Sequence, residues 1–83
     1  MYVIAAFYHF FDFPDFEQKR KPMLELLKLY DVKGSILVAS EGFNGTIGGK
    51  REDIDAVLSY LKQKIVGGEF EHKESYSDKH PFI

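Results

Sequence analysis

Apolar residues occupy both alternations of Tyr2–Phe11 (YVIAAFYHFF). A strand buried on both sides reads this way, so the segment is predicted to lie at the centre of a sheet. Asp12-Phe13-Pro14 breaks it. Asp15 is placed to cap a helix, with Gln18 completing a capping box. That helix is predicted to run to about Tyr30, with Phe16, Met23, Leu26, Leu27 and Tyr30 along one face. Pro22 removes a backbone donor inside it and predicts a kink or an irregular first part.

Gly34 then reads as a turn and Ile36–Ala39 as a short buried strand. Glu41–Asn44 is predicted to reverse the chain, because Asn44-Gly45 is the strongest hairpin signal present. Thr46-Ile47-Gly48 would be the return strand. From about Arg51 to Ile65, apolar side chains recur at Ile54, Val57, Leu58, Leu61 and Ile65, a helical stripe. Glu52 and Asp53 suit its first turn through the helix dipole, and Gly67-Gly68 suits its end. Phe70–Tyr76 alternates loosely and reads as a fourth, more exposed strand.

The predicted order is β-α-β-β-α-β, an α+β ferredoxin-like sandwich. Right-handed crossovers put both helices on one face of a four-stranded antiparallel sheet. The other face is left bare. One row of the first strand, either Phe7, His9 and Phe11 or Tyr8 and Phe10, must point towards it, and exposed aromatic rows mark contact surfaces.

Composition sharpens this picture. The 83 residues suit a single domain, 1–83, and at this size folding buries only about 60–65% of the unfolded chain's surface. Eight Phe and five Tyr supply large buried areas within a chain that is 45% hydrophobic. There is no cysteine, which removes disulfides, thiolate nucleophiles and thiolate metal sites, and favours a cytoplasmic protein. Tyr2–Phe11 has no basic leader and is far too short to span a bilayer. A net charge of −2 gives no global pull on nucleic acid, so RNA contact would need local patches. The basic residues Lys19, Arg20 and Lys21 and the pair Lys50-Arg51 are such patches. His9, His72 and His80 lack ligand spacing, so neither a metal nor a cofactor is expected. His9 reads as a packed, hydrogen-bonded residue of its strand.

Residues 34–47, GSILVASEGFNGTI, resemble the strand–loop–strand segment of the tRNA uridine hydroxylase (rhodanese-domain) family. The N-terminal domain of that family is acylphosphatase-like and carries a similar EGINGT-type stretch, here Glu41-Gly42-Phe43-Asn44-Gly45-Thr46. In element order the resemblance extends over essentially the whole chain. It implies a parent protein whose rhodanese domain, bearing a catalytic cysteine, hydroxylates the wobble uridine at position 34 of tRNA using oxygen. The family continues beyond His80-Pro81-Phe82-Ile83 into a further strand, so this chain is expected to be an N-terminal piece of a longer one. On that view it is an accessory domain without catalytic residues, a partner of the rhodanese domain and of tRNA. Glu41, Asn44, Lys19, Arg20, Lys50 and Arg51 are the candidate RNA or interdomain contacts.

Three other readings use the same topology. A purely structural interdomain or dimerisation module would use the bare face. A free-standing acylphosphatase needs a glycine-rich first loop to cradle phosphate, an arginine there, and an asparagine to orient water. Here that loop is Phe11-Asp12-Phe13-Pro14-Asp15, and the place of the asparagine falls on Glu41. An RNA-recognition motif stacks bases on aromatic residues of its first and third strands. The first strand qualifies, but the third has no aromatic residue within Thr46–Gly49.

Overall fold

The computed structural model describes residues 1–81. Its elements are β1 (Tyr2–Phe10), α1 (Phe16–Leu29), β2 (Lys33–Ala39), β3 (Gly42–Gly49), α2 (Arg51–Tyr60), a π-helical turn (Leu61–Val66) and β4 (His72–Ser77). All neighbouring strands are antiparallel, in the order β2-β3-β1-β4. This is the expected ferredoxin-like arrangement. Phe82 and Ile83 lie outside the described residues, as does the continuation expected after them.

β1 is apolar on both sides, so it cannot by itself choose which side becomes core. β3 makes the choice. Its pairing with β1 sets Val3, Ala5, Phe7 and His9 level with Gly49, Ile47, Gly45 and Phe43. The other alternation of β3 is Gly42, Asn44, Thr46 and Gly48, which has no large apolar side chain to bury. Helices therefore cover the Phe43–Ile47 side. There Phe7, Phe43 and Phe70 pack mutually, with ring centroids 5.6, 5.2 and 5.7 Å apart. Met23 and Leu27 of α1 and Ile54, Val57 and Leu58 of α2 close over them. Aromatic pairs at such separations add stabilisation beyond the area they bury.

α2 uses the stripe predicted for it, with Ile54 and Val57 almost wholly buried. The stripe then continues into the wide π turn, which the spacing did not predict. That turn brings Ile65 and Val66, two consecutive residues, against the core. Gly67 ends it at φ +74°, and the Gly68 N–H donates to the Lys62 carbonyl at 2.9 Å. A left-handed glycine of this kind is the usual device for stopping a helix.

Four local expectations are corrected. Asp15 precedes α1, but its side chain makes no capping bond; its backbone carbonyl accepts from the Gln18 and Lys19 amides. The helix is assigned without interruption through Pro22. Gly34 belongs to β2, and the bend before it falls on Asp31, at φ +50°. β2 is an edge strand of exposed and half-buried residues rather than a buried one.

The hairpin itself is displaced from its expected site. Ala39 pairs with Gly42, so the chain turns at Ser40-Glu41. Asn44-Gly45 lies inside β3, opposite Leu37-Ile36 on one side and Tyr8-Phe7 on the other. Gly45 is required there by close approach: a Cβ would come within 2.6 Å of the Ser35 carbonyl oxygen. Gly42 opens β3 at φ +138°, where a Cβ would collide with the His9 carbonyl. Gly42→Ala should therefore lower stability by about 1–3 kcal/mol in denaturant unfolding. Gly68→Ala, with open space at its Cβ, should change stability far less; equal effects would refute this account.

Candidate functional site

The helix-free face of the sheet carries the concave surface of interest. Register sets its rows. Tyr8 lies between Asn44 on β3 and the chain entering β4; Leu37 stands beyond Asn44 on β2. One step along, Ala6 lies between Thr46 and Lys73, with Ser35 beyond Thr46. A further step brings Ile4, Gly48 and Lys33 level. Phe10 stands at the other end, opposite Gly42. Of the two rows left open by the sequence, the structure selects Tyr8 and Phe10.

These aromatic residues are uncovered. Tyr8 is 69% and Phe10 75% exposed, and Leu37 is 65% exposed, values that separate them from the core positions on the same strands. The two rings lie 5.8 Å apart at a tilt of 59°, with no helix over either. A shallow concavity of about 740 Å³ adjoins Tyr8, lined by Ala6, Tyr8, Ser35, Asn44, Thr46 and Lys73 among others. Glu69, Phe70, Glu71 and His72 form its edge. Glu69 is held by Lys62 at 3.1 Å. No strand position on this face carries a carboxylate.

The candidate residues do not converge on one site. Asn44 stands on the bare face and is exposed. Glu41 lies at the hairpin tip, where its carboxylate accepts from Ser40 Oγ at 3.2 Å. Lys19 and Arg20 lie on α1, and Lys50 precedes α2 at the other end of β3. The eight extended residues of β3 separate Glu41 from Lys50, roughly 25–30 Å at about 3.3 Å each.

Arg51 is already engaged. Its guanidinium donates to both Glu74 oxygens at 2.9 and 2.7 Å and to Asp55 at 2.9 Å. Glu74 also accepts from Tyr76 at 3.0 Å and lies 2.8 Å from His72 Nε2. The Arg51 hydrogen bonds, followed by that of His72, hold the Glu74 carboxyl well below the usual carboxylate range. Glu74 in turn raises Arg51, with a smaller contribution from Asp55. This network ties the start of α2 to β4 on the helix side. It is invisible to local pattern because 23 residues separate Arg51 from Glu74.

The first loop departs from a phosphate cradle in a specific way. The Phe11 N–H donates to the Glu41 carbonyl at 3.1 Å and the Phe13 N–H to the Ser40 carbonyl at 2.9 Å. Both amides are thus taken up by the hairpin tip. The hollow at the start of α1 is lined by Asp15 and Glu17, whose charges oppose an anion. Among the described residues no cluster of His, Asp or Glu could hold a metal ion. His9 packs against Phe11, Phe43 and Phe70, and no hydrogen bond to its ring is found among the described residues. No helix among them is long and apolar enough to cross a membrane.

Sandwich, hairpin and closed first loop together define an acylphosphatase-like domain that lacks the phosphate-binding loop of that enzyme. Within this class the chain belongs to the family described as the UPF0176 acylphosphatase like domain, which it matches over residues 2–83. It is similar to a tRNA uridine(34) hydroxylase of Albidiferax ferrireducens, with 44% identity over 81 residues. The match covers 98% of this chain and 25% of that relative, so the chain spans about a quarter of the relative's length.

The Glu74 network has a pH signature. Glu74 has its carboxyl lowered in the folded state, so its contribution is present above the ordinary carboxylate value of 4.5 and is lost as pH falls below it. Glu74→Gln should cost about 1 kcal/mol at neutral pH and flatten the acid side of the stability curve. An unchanged acid slope in the variant would exclude Glu74 as its source.

Proposed function

We propose that this chain is the non-catalytic N-terminal domain of an oxygen-dependent tRNA uridine(34) hydroxylase, helping to place tRNA for a rhodanese-type catalytic domain of the same protein in the cytoplasm. The observation that carries the reading is the 44% identity to a tRNA uridine(34) hydroxylase across nearly the whole chain, which accounts for only a quarter of that relative. Three-quarters of such a protein is available for the chemistry. The chain itself contains no cysteine, and its described residues hold no metal-ligand cluster. What it offers is surface: basic side chains at Lys19, Arg20 and Lys50, and an uncovered sheet face. The closed first loop supports the same division of labour, since an acylphosphatase needs free backbone amides in its first loop.

A second reading assigns the bare face to packing against the catalytic domain or a second copy. The 65–75% exposure of Leu37, Tyr8 and Phe10 favours some contact there.

A chimera tests the proposal. Residues 1–81 of this chain should replace the matching quarter of the Albidiferax relative and preserve hydroxylation of uridine 34, read by mass spectrometry of tRNA from cells lacking their own enzyme. Deleting that quarter should reduce hydroxylation at least tenfold while leaving the remaining protein folded. Full modification by the deleted form would overturn the proposal.

A further inference from the structure

The bare face is amphipathic in a directional way. At one end stand two uncovered rings, Tyr8 and Phe10, with the Asn44 amide directly across from Tyr8. At the other end Lys33 and Lys73 sit on the two edge strands, with Ala6, Ile4 and the hydroxyls of Ser35 and Thr46 between; Lys33 lies 3.9 Å from Asp31, a pair exposed to solvent. The whole chain has net charge −2 and 13 acidic residues, yet none falls on a strand position of this face. Along β1 the row runs Phe10, Tyr8, Ala6 and Ile4, while its neighbours on the flanking strands change from the Asn44 amide to the hydroxyls of Thr46 and Ser35 and the ammonium groups of Lys73 and Lys33 within about three steps of the strand repeat. Glu69 and Glu71 line the concavity just before β4, where Glu71 is level with Tyr8 if the β1–β4 register is carried one step back, and Glu69 is paired with Lys62.

We infer that this helix-free face binds an unpaired segment of RNA, its bases stacked on Tyr8 and Phe10 and its phosphates towards Lys33 and Lys73. Aromatic rings on a sheet are sequence-tolerant platforms for unstacked bases. An exposed Asn side chain supplies a donor and an acceptor to a base edge, and a lysine supplies a point charge to phosphate. The concavity of about 740 Å³ is roomy and open, suited to a ligand that enters flat from solvent. No aromatic residue of β3 is needed, because both rings come from alternate positions of β1. The inference rests on the tRNA-placing reading and gives that reading a surface distinct from Lys19, Arg20 and Lys50.

The test is titration of isotope-labelled chain with a short single-stranded RNA and with the same sequence as a duplex, both at low salt, where phosphate contacts are strongest. Single-stranded RNA should shift the amide resonances of Tyr8, Asn44, Thr46 and Lys73, leave Ile54 and Glu74 unmoved, and bind more tightly than the duplex. Tyr8→Ala and Phe10→Ala should each weaken binding about tenfold. Tyr8→Phe should retain it, and Lys73→Ala should reduce the salt slope by about one. Both aromatic positions are exposed, so unfolding is not expected; circular dichroism of each variant checks this. Shifts confined to α1 and Lys50 would overturn the inference while leaving the tRNA-placing reading intact. No binding of any RNA would overturn it, as would a chimera in which Tyr8 and Phe10 are buried against protein. Failure of the chimera to hydroxylate, with RNA still bound at Tyr8, would instead fault the broader reading.

Discussion

The pairing of β1 with β3 is the constraint from which the rest of the molecule follows. β1 presents apolar side chains to both sides and would tolerate either as core. Because side chains alternate with a period of two, a one-residue slip would exchange its entire inner and outer sets. β3 removes the ambiguity, since only its Phe43–Ile47 alternation can be buried to advantage. Once that register is set, the helices have one face to cover, and Phe7 meets Phe43 and Phe70. The same choice strands Tyr8 and Phe10 in solvent. The core and the exposed aromatic row are two outcomes of a single decision.

The loop after β1 is fastened by its own backbone amides. Backbone amides can satisfy a ligand or the protein, but one amide cannot do both at once. Here the Phe11 and Phe13 amides are given to the hairpin carbonyls, which fastens the tip of β2–β3 to the start of the first crossover. The carboxylates of Asp15 and Glu17 around the nearby hollow oppose an anion there.

Much of the fold was legible because it is written in local periods. The α2 stripe, the glycine stop after it and the order of the elements all depend on neighbours close in sequence. The misread features depend on partners far away. Asn44-Gly45 has the composition of a turn, yet Gly45 is glycine because the Ser35 carbonyl crowds it from the next strand. Gly34 likewise has the composition of a turn, yet it is glycine because the Thr46 carbonyl crowds it. Arg51 looked like a free cation until the fold placed Glu74 against it. Of the helix-free face, Tyr8 and Phe10 could be named from β1 alone, but as one of two rows. Ser35, Thr46 and Lys73 could not, since only the strand register gathers them.

The π-helical turn at Leu61–Val66 has a consequence for how this domain can vary. A π turn holds one residue more than the α turn it interrupts. Removing a residue there would let the backbone relax into ordinary α geometry, with Gly67 still able to end the helix. Adding one within β3, by contrast, would exchange the inner and outer side chains of that strand beyond the insertion or force a bulge into the central pairing. Insertions and deletions across related chains should therefore gather at this turn and avoid the central strands, making it the place where chain length can drift without disturbing the aromatic core or the open face.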